Sequence, residues 1–329
     1  MRKLLLSLVL LLAAAMVPGP ALAALQVDIT QGNFQPLPIA IPDFATTGAA
    51  GTVGADIAGV VRADLERSGL FRPIDPKAYV DHTNNINAVP NFANWRTINA
   101  QGLTVGSVTA QPDGQLSVEF RLWDVNAGAQ IWGQKFSTIP ANWRRIAHMI
   151  SDAIYEHVTG EKGYFDTRVV FISETGTAQK RVKRLAIMDQ DGANPIFLTN
   201  GSYMVLTPRF NPTAQMIAYM SYIGGRPRVY LFDLETGRQE VLGNFPTMTF
   251  SPRFSPDGRN VVMALDTNGN SDIYVMDLAT RGSRRLTTDP GHKAHRRCSL
   301  RSNAGGVANF ESVRLAPRAF GTRRPRSAA

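Results

Sequence analysis

One short pattern occurs three times at a constant spacing in the second half of the chain. The copies read LAIMD, VYLFD and IYVMD, and they begin at Leu185, Val229 and Ile273, so each starts 44 residues after the one before. Runs rich in β-branched and aromatic residues favour β-strands. A period of roughly 40 to 45 residues is typical of β-propellers, in which each repeat is one four-stranded blade. The repeat therefore predicts a series of small antiparallel sheets.

The segments between these strands recur at the same spacing. Pro208–Pro212 reads PRFNP, and Pro252–Pro256 reads PRFSP and continues into Asp257 and Gly258. Pro-Asp-Gly suits a tight turn, because proline presets φ, aspartate bonds to the backbone ahead of it and glycine accepts a positive φ. A leucine closes each unit, at positions 198, 242 and 286. One unit is thus predicted to hold several short antiparallel strands, as a propeller blade does.

These motifs carry a resemblance to a known family. The turn SPDG at Ser255, the strand IYVMDL at Ile273 and the closing RRLTTD at Arg284 are similar to the repeats of the TolB family of periplasmic propeller proteins. The first half of the chain is similar to the same family in QVDITQG, DLERSGLFRPI and FANWRTINAQGL, which begin at residues 26, 64 and 92. The similarity runs from Met1 to about Gly291. Because the family's propeller has six blades, the resemblance implies an α+β amino-terminal domain followed by an incomplete all-β propeller.

The patterns divide the chain into four segments. We predict a signal peptide over residues 1–23, a TolB-like amino-terminal α/β domain over 24–160, a partial β-propeller of about three 44-residue repeats over 161–291, and a basic, disordered tail over 292–329. Arg2 and Lys3, an apolar run and the small residues Ala21 and Ala23 are typical of a secretory signal peptide. The apolar run is shorter than the roughly 20 residues that a membrane-spanning helix needs. We therefore expect a periplasmic protein, and an uncleaved anchor is the weaker alternative.

The amino-terminal domain shows mixed helix and strand patterns. Apolar residues at helical spacing predict a helix that ends at Gly69 and a second helix over 143–158 that ends at Gly160. Alternating patterns predict three strands of an antiparallel meander, over 103–109, 116–125 and 130–137. Helices on one face of a small sheet are therefore expected.

The tail differs in composition from everything before it. The chain carries 35 Lys and Arg against 26 Asp and Glu, but nine of the basic and only one of the acidic residues lie from Lys293 onward. The body is close to neutral, so its composition does not favour nucleic-acid binding. The next repeat is due at residues 296–300, which read RRCSL and break the pattern. A frameshift near Gly291 is our hypothesis, and a natural basic tail with a binding role is the alternative. The open sheet edges of a partial ring are expected to make the chain prone to aggregation.

Motifs for catalysis and cofactor binding are missing from the sequence. It contains no GxSxG, HExxH, GxGxxG or phosphate-binding loop, and its single cysteine is Cys298. Asp189, Asp233 and Asp277 occupy the same place in each repeat, so we interpret them as turn residues and not as a catalytic set. The four tryptophans, at 95, 123, 132 and 143, are interpreted as core residues. The sequence thus predicts no enzyme activity, cofactor or metal site; a secreted hydrolase or lyase with a TolB-like propeller is the alternative.

The segment after the signal peptide is the candidate partner-binding site. Apolar residues alternate at positions 25, 27 and 29, enough for one extended strand that pairs with its own sheet or with the edge of a partner. In the TolB family the mature amino terminus engages TolA, and by resemblance the matching residues are Leu25, Gln26, Val27, Asp28, Ile29, Thr30, Gln31 and Gly32. The resemblance also implies a monomer whose propeller mouth binds the lipoprotein Pal, and a role in outer-membrane integrity and cell division.

Overall fold

The structure, a computed structural model, describes residues 35–81, 85–267 and 269–288, and the backbone of 312–314. The predicted signal peptide, the candidate segment 25–32 and most of the tail lie outside the described residues. The chain divides into two compact units, Met1–Phe165 and Asp166–Ala329. The fold class expected from the sequence, an α+β amino-terminal domain followed by an incomplete propeller, is confirmed.

In the part of the first unit that the structure describes, a six-stranded sheet forms the centre. Three helices accompany it: α1 (Val53–Arg67), α2 (Phe92–Thr97) and α3 (Trp143–Thr159). The strands are β1 (Leu37–Ala40), β2 (Ala45–Thr47), β3 (Phe71–Pro73), β4 (Gly102–Ala110), β5 (Leu116–Asp124) and β6 (Ala129–Thr138). Their order is β3-β1-β4-β5-β6, with β2 beside β4. The meander β4-β5-β6 is antiparallel as predicted, whereas β1 pairs in parallel with both β3 and β4.

Helices α1 and α3 cover one face of this sheet. Their apolar stripes, which include Ile57 and Leu65 of α1 and Ile150 and Ile154 of α3, pack in one core with the side chains of β5. The ends of both helices agree with the sequence prediction. Gly69 follows α1 at φ 73°, and Gly160 caps α3 in the left-handed conformation and donates its N–H to the Glu156 carbonyl.

The opposite face of the sheet carries a second, smaller core that the sequence did not predict. Trp95 of α2 and Trp123 of β5 are buried there together with Tyr79, whose ring meets Trp95 edge-to-face at 5.3 Å. The prediction of a core role was wrong for Trp132, which is 39% exposed and stacks on His157 at 4.1 Å. Its strand, β6, lies at the edge of the sheet and is mostly exposed, so its alternating pattern does not mark a buried face.

The second unit contains three antiparallel sheets, which do not close into a ring among the described residues. The first contains β7 (Thr167–Thr177), β8 (Lys180–Asp189) and β9 (Ile196–Phe197). The second contains β10 (Val205–Phe210), β11 (Met216–Ser221), β12 (Arg228–Asp233) and β13 (Gln239–Val241). The third contains β14 (Met248–Phe254), β15 (Asn260–Thr267), β16 (Asn270–Asp277) and β17 (Ser283–Arg285). The three repeated segments are therefore equivalent strands, β8, β12 and β16.

The repeats are equivalent down to single hydrogen bonds. The amides of Leu198, Leu242 and Leu286 donate to the carbonyls of residues 185, 229 and 273, at 2.8, 2.8 and 2.7 Å. The amides of 185 and 273 donate to the hydroxyls of Thr199 and Thr287, which lie two repeats apart. Position 243, midway between these threonines, is glycine, and the second repeat uses the Thr249 hydroxyl of β14 instead. The leucine that closes each unit thus holds the fourth strand on the third.

Neighbouring sheets bury their apolar faces against each other. One cluster joins residues of the first and second sheets, including Leu185, Ile187 and Tyr219. A second cluster joins the second and third sheets, including Ala218 and Met263. Tyr219 and Ala218 are adjacent on β11 and therefore point to opposite faces of the second sheet. That sheet is buried on both sides, as a blade inside a propeller is.

One short part of the tail is a strand. The backbone of Ser312–Arg314, strand β18, pairs antiparallel with β7. It occupies the position in the first sheet that β10 and β14 hold in the other two sheets. The sequence showed no strand pattern in this region, because three residues are too few for an alternation to be recognised.

Candidate functional site

The predicted partner-binding segment, residues 25–32, lies just before the described part of the chain. The described chain begins at Gln35 and enters β1 two residues later. That strand has neighbours on both sides, β3 and β4, and its residues are mostly buried. Residues 33–36 separate the segment from this strand in the interior of the sheet, and the role of the segment in binding stays a prediction.

The three equivalent aspartates end their strands and hold turns. Asp233 accepts the amides of Glu235 and Thr236, both at 2.9 Å, and these hydrogen bonds, the one from Thr236 foremost, hold the pKa of its carboxyl below the usual value. Asp277 accepts the amides of Ala279 and Thr280, at 3.0 and 2.7 Å, and the bonds from Thr280 lower its pKa. The interpretation of these two residues as turn residues is confirmed.

Asp189 acts differently, because the turn of the first repeat is one residue shorter. Its carboxylate accepts the side-chain amide of Asn194 at 2.7 Å, and the backbone amide of Ala193 is bound by Asp191 instead. The three carboxylates are thus engaged in the turns of three separate sheets.

A buried polar cluster in the first unit was missed by sequence reasoning. Asp64 of α1 is fully buried, its Oδ2 lies 2.6 Å from Nδ1 of His148, and it also accepts the Ser151 hydroxyl at 3.0 Å. Serine, histidine and aspartate together suggest a catalytic triad, but in a triad the serine hydroxyl is bound to the histidine. Here its only acceptors among the described residues are the Asp64 carboxylate and the Ala147 carbonyl, each 3.0 Å from Oγ, and Ser151 has no exposed surface. The cluster therefore serves to join α1 to α3.

Two edge strands carry an irregularity that repeats with the 44-residue period. The register of β10 shifts between Leu206 and Arg209, and that of β14 shifts at the equivalent place. Thr207 and Ser251 have positive φ at these bulges, 49° and 56°, and each precedes a proline. Bulges on edge strands redirect side chains and end strand pairing, and they are frequent beside functional sites.

The bulges place an arginine at the same point of two neighbouring sheets. The guanidinium groups of Arg209 and Arg253 each donate to the carbonyl of the preceding proline, at 2.7 and 3.0 Å. These edges are the candidate partner-binding surface of the propeller unit. The recurring PRF motif was visible in the sequence, but the positive φ of the residue before it was not.

The turns of the second and third repeats are connected directly. Asn211 is almost fully buried, and its side-chain amide donates to the carbonyl of Gly258 at 2.8 Å. Its carboxamide oxygen accepts the amides of Thr213 and Ala214, at 2.9 and 3.0 Å. The Pro-Asp-Gly turn of one repeat thus rests on the turn of the repeat before it.

Comparisons with known proteins agree with both units. Residues 25–131 match the family model of the TolB amino-terminal domain, and residues 155–299 match that of the TolB beta propeller domain. The crystal structure of TolB from Acinetobacter baumannii is 30% identical, with a TM-score of 0.67 over 81% of this chain and 64% of that chain. This chain therefore spans less than two thirds of the length of that TolB.

Weaker likenesses include a putative TolB and an enzyme. The putative TolB from Agrobacterium tumefaciens is 14% identical, with a TM-score of 0.32 over 55% of this chain and 64% of that chain. An oligogalacturonate lyase in complex with manganese is 15% identical, with a TM-score of 0.30 over 60% of this chain and 47% of that chain. A likeness at this level gives no support to the alternative of a secreted hydrolase or lyase.

No helix in the described part of the chain has both the length and the apolar character that crossing a membrane requires. The two family models match one domain each, in the order that the sequence predicted, and the Acinetobacter structure aligns with most of the chain. The chain is therefore a TolB-like protein, with the amino-terminal domain of that family followed by sheets of its propeller.

Proposed function

We propose that this chain is a periplasmic, non-enzymatic adaptor of the Tol-Pal system that links TolA and Pal. The observation that carries the proposal is the union of the TolB amino-terminal domain and TolB propeller sheets in one chain. Propeller sheets alone also occur in enzymes, whereas propeller repeats joined to this leading domain are a specific combination. The proposed export rests on the signal-peptide pattern of residues 1–23.

In this proposal, TolA binds the segment Leu25–Gly32. The segment lies at the start of the region that matches the TolB amino-terminal domain. Its apolar residues alternate, so an extended strand presents Leu25, Val27 and Ile29 on one face. Strand addition to a partner's sheet takes its affinity from backbone hydrogen bonds and its specificity from alternate side chains.

Replacing Leu25, Val27 and Ile29 by aspartate in the mature chain is expected to abolish capture by TolA, because all three charges fall on the proposed contact face. The matched control replaces Gln26, Asp28 and Thr30 by alanine and should retain capture. Pull-down with immobilised TolA measures both, and circular dichroism confirms that each variant is folded. Full capture of the aspartate variant, or of a chain lacking residues 25–32, would refute this contact.

Pal is proposed to dock on the propeller unit, with the bulged edges of β10 and β14 as its contact. Arg209 and Arg253 supply positive charge there at equivalent positions. A propeller mouth is built from loops of every blade, and the described part of this unit has three sheets. We therefore propose that this chain binds Pal more weakly than a six-bladed propeller of the family would, and the same pull-down with Pal compares this chain with such a protein.

A further inference from the structure

One apolar face of the third sheet repeats a covered face of the second sheet, but no other sheet covers it in the described part of the unit. The second sheet packs this face on the third sheet through residues that are at most 2% exposed: Ala218, Val229, Leu231 and Leu242. The residues 44 positions later form the same face of the third sheet, which we call the trailing face: Val262, Ile273, Val275 and Leu286. None of these belongs to a core cluster of the described residues, and Leu286 is 44% exposed whereas Leu242 is fully buried. Apolar surfaces of this kind mark interaction sites.

The contact between the second and third sheets shows what kind of surface covers a trailing face. The third sheet meets the second with the opposite side of its strands, through Val261 and Met263 of β15. Their cross-strand partners on β16, Met276 and Tyr274, pack in the same cluster. Because side chains on a strand alternate between faces, each sheet of this unit has a trailing face and an opposite, leading face. A trailing face is thus covered by the leading face of another sheet.

The first sheet has a leading face of the same construction. Val169 and Phe171 of β7 lie opposite Met188 and Ala186 of β8, in the register that the equivalent residues of β15 and β16 have. These side chains point away from the second sheet, because Leu185, which alternates with them on β8, packs on that sheet. The leading faces of the second and third sheets are already covered. Among the described sheets of this unit, only the first has a leading face that packs on no other sheet.

We propose that a second copy of this chain covers the trailing face with the leading face of its first sheet. Two copies related by a twofold axis make this contact twice, once in each direction. The three sheets of each copy then form one ring, and closed propellers typically contain about four to eight such sheets. The later residues of the same chain do not supply the next leading face, since the repeat due at residues 296–300 reads RRCSL. This dimer differs from the monomer that the family resemblance implies, and it does not depend on the proposed adaptor role.

The experiment measures the mass of the full chain in solution by sedimentation equilibrium. Leu286→Arg places a charge on the trailing face, and because Leu286 is exposed, this change leaves the fold intact. Phe171→Asp places a charge on the leading face of the first sheet. Met204→Arg is the matched control for Leu286→Arg, since Met204 is 49% exposed and belongs to neither face. Circular dichroism confirms that each variant is folded.

We expect the full chain and Met204→Arg to form dimers with similar dissociation constants. Leu286→Arg and Phe171→Asp should each dimerise at least about tenfold more weakly, because a charge is buried in both contacts of the ring. An equimolar mixture of these two variants should recover the dimer. A mixed pair keeps one contact unaltered, and in the other contact the two introduced charges are opposite in sign.

Four results would overturn the proposal. A full chain that stays monomeric up to its solubility limit would show that no second copy covers the trailing face. Equal dimerisation by all the variants would place the interface elsewhere. Failure of the mixture to recover the dimer would exclude a contact between unlike faces, and growth into assemblies larger than a dimer would exclude a closed ring.

Discussion

Replacing Gly258 with alanine is expected to lower the free energy of unfolding of the propeller unit by about 2 to 5 kcal/mol. Gly258 has a φ of 71°, which an alanine adopts only at a cost. A Cβ at this position would also overlap with side-chain oxygens of Asn211 and Thr213. Since Asn211 is buried and bonded to the Gly258 carbonyl, it has no room to move aside. The substitution therefore separates the turns of two neighbouring repeats.

Gly237→Ala is the matched control, because Gly237 has nearly the same φ, 70°, and no described atom lies within 4 Å of an added Cβ. Gly237→Ala should lower the free energy of unfolding by about 1 to 2 kcal/mol, which is the cost of a positive φ for alanine. Hydrogen exchange of peptides from β11 and β15 across a urea series measures the free energy of unfolding of the propeller unit. All four tryptophans lie in the first unit, so their fluorescence monitors that unit alone. Equal losses in the two variants would show that the turns do not pack on each other.

The second large effect is expected at Asp64. Asp64→Ala should lower the free energy of unfolding of the first unit by about 3 to 5 kcal/mol, because it removes a fully buried carboxylate that binds His148, Ser151 and Arg67 together. His148 lies 2.6 Å from the Asp64 carboxylate, and both side chains are buried. Urea denaturation followed by tryptophan fluorescence measures the change.

Ser151→Ala provides the comparison for Asp64, since it removes one hydrogen bond from the same cluster and leaves the carboxylate and the imidazole in place. It should cost about 1 kcal/mol. A loss below about 1 kcal/mol for Asp64→Ala, as is typical of exposed ion pairs, would contradict the structural role assigned to this cluster.

The period of the repeat was enough to predict the strands of the propeller unit. Leu198, Leu242 and Leu286 close their units with the same hydrogen bond, because a fixed spacing in sequence preserves a fixed geometry. The helix ends at Gly69 and Gly160 were also predictable, since only a few residues accept a left-handed conformation after a helix.

Other features depend on neighbours that are distant in the chain. Trp132 has the same alternating context as Trp123, but it lies on an edge strand, where it stacks on His157 of α3 and stays 39% exposed. In the third repeat, Arg281 takes the positive φ, 60°, that Gly237 takes in the second, although a glycine, Gly282, directly follows Arg281. The turn length, and not the residue type, determines which position adopts this conformation.

The candidate sites were less predictable than the fold. The bulges at Thr207 and Ser251 follow from strand pairing, and the uncovered face of the third sheet follows from the packing of neighbouring sheets. Neither feature has a signature in a single stretch of sequence. The interpretation of Asp233 and Asp277 was successful because an aspartate that binds the next turn is a local interaction.

Hydrogen exchange at three amides tests most directly that the repeats are equivalent strands of neighbouring sheets. These are the amides of Leu198, Leu242 and Leu286, which all donate to the third strand of their sheets. In the intact chain we expect each to exchange at least about 100-fold more slowly than in an unstructured peptide, with similar factors for all three. Exchange of any one at the unstructured rate, while the other two are protected, would contradict this architecture.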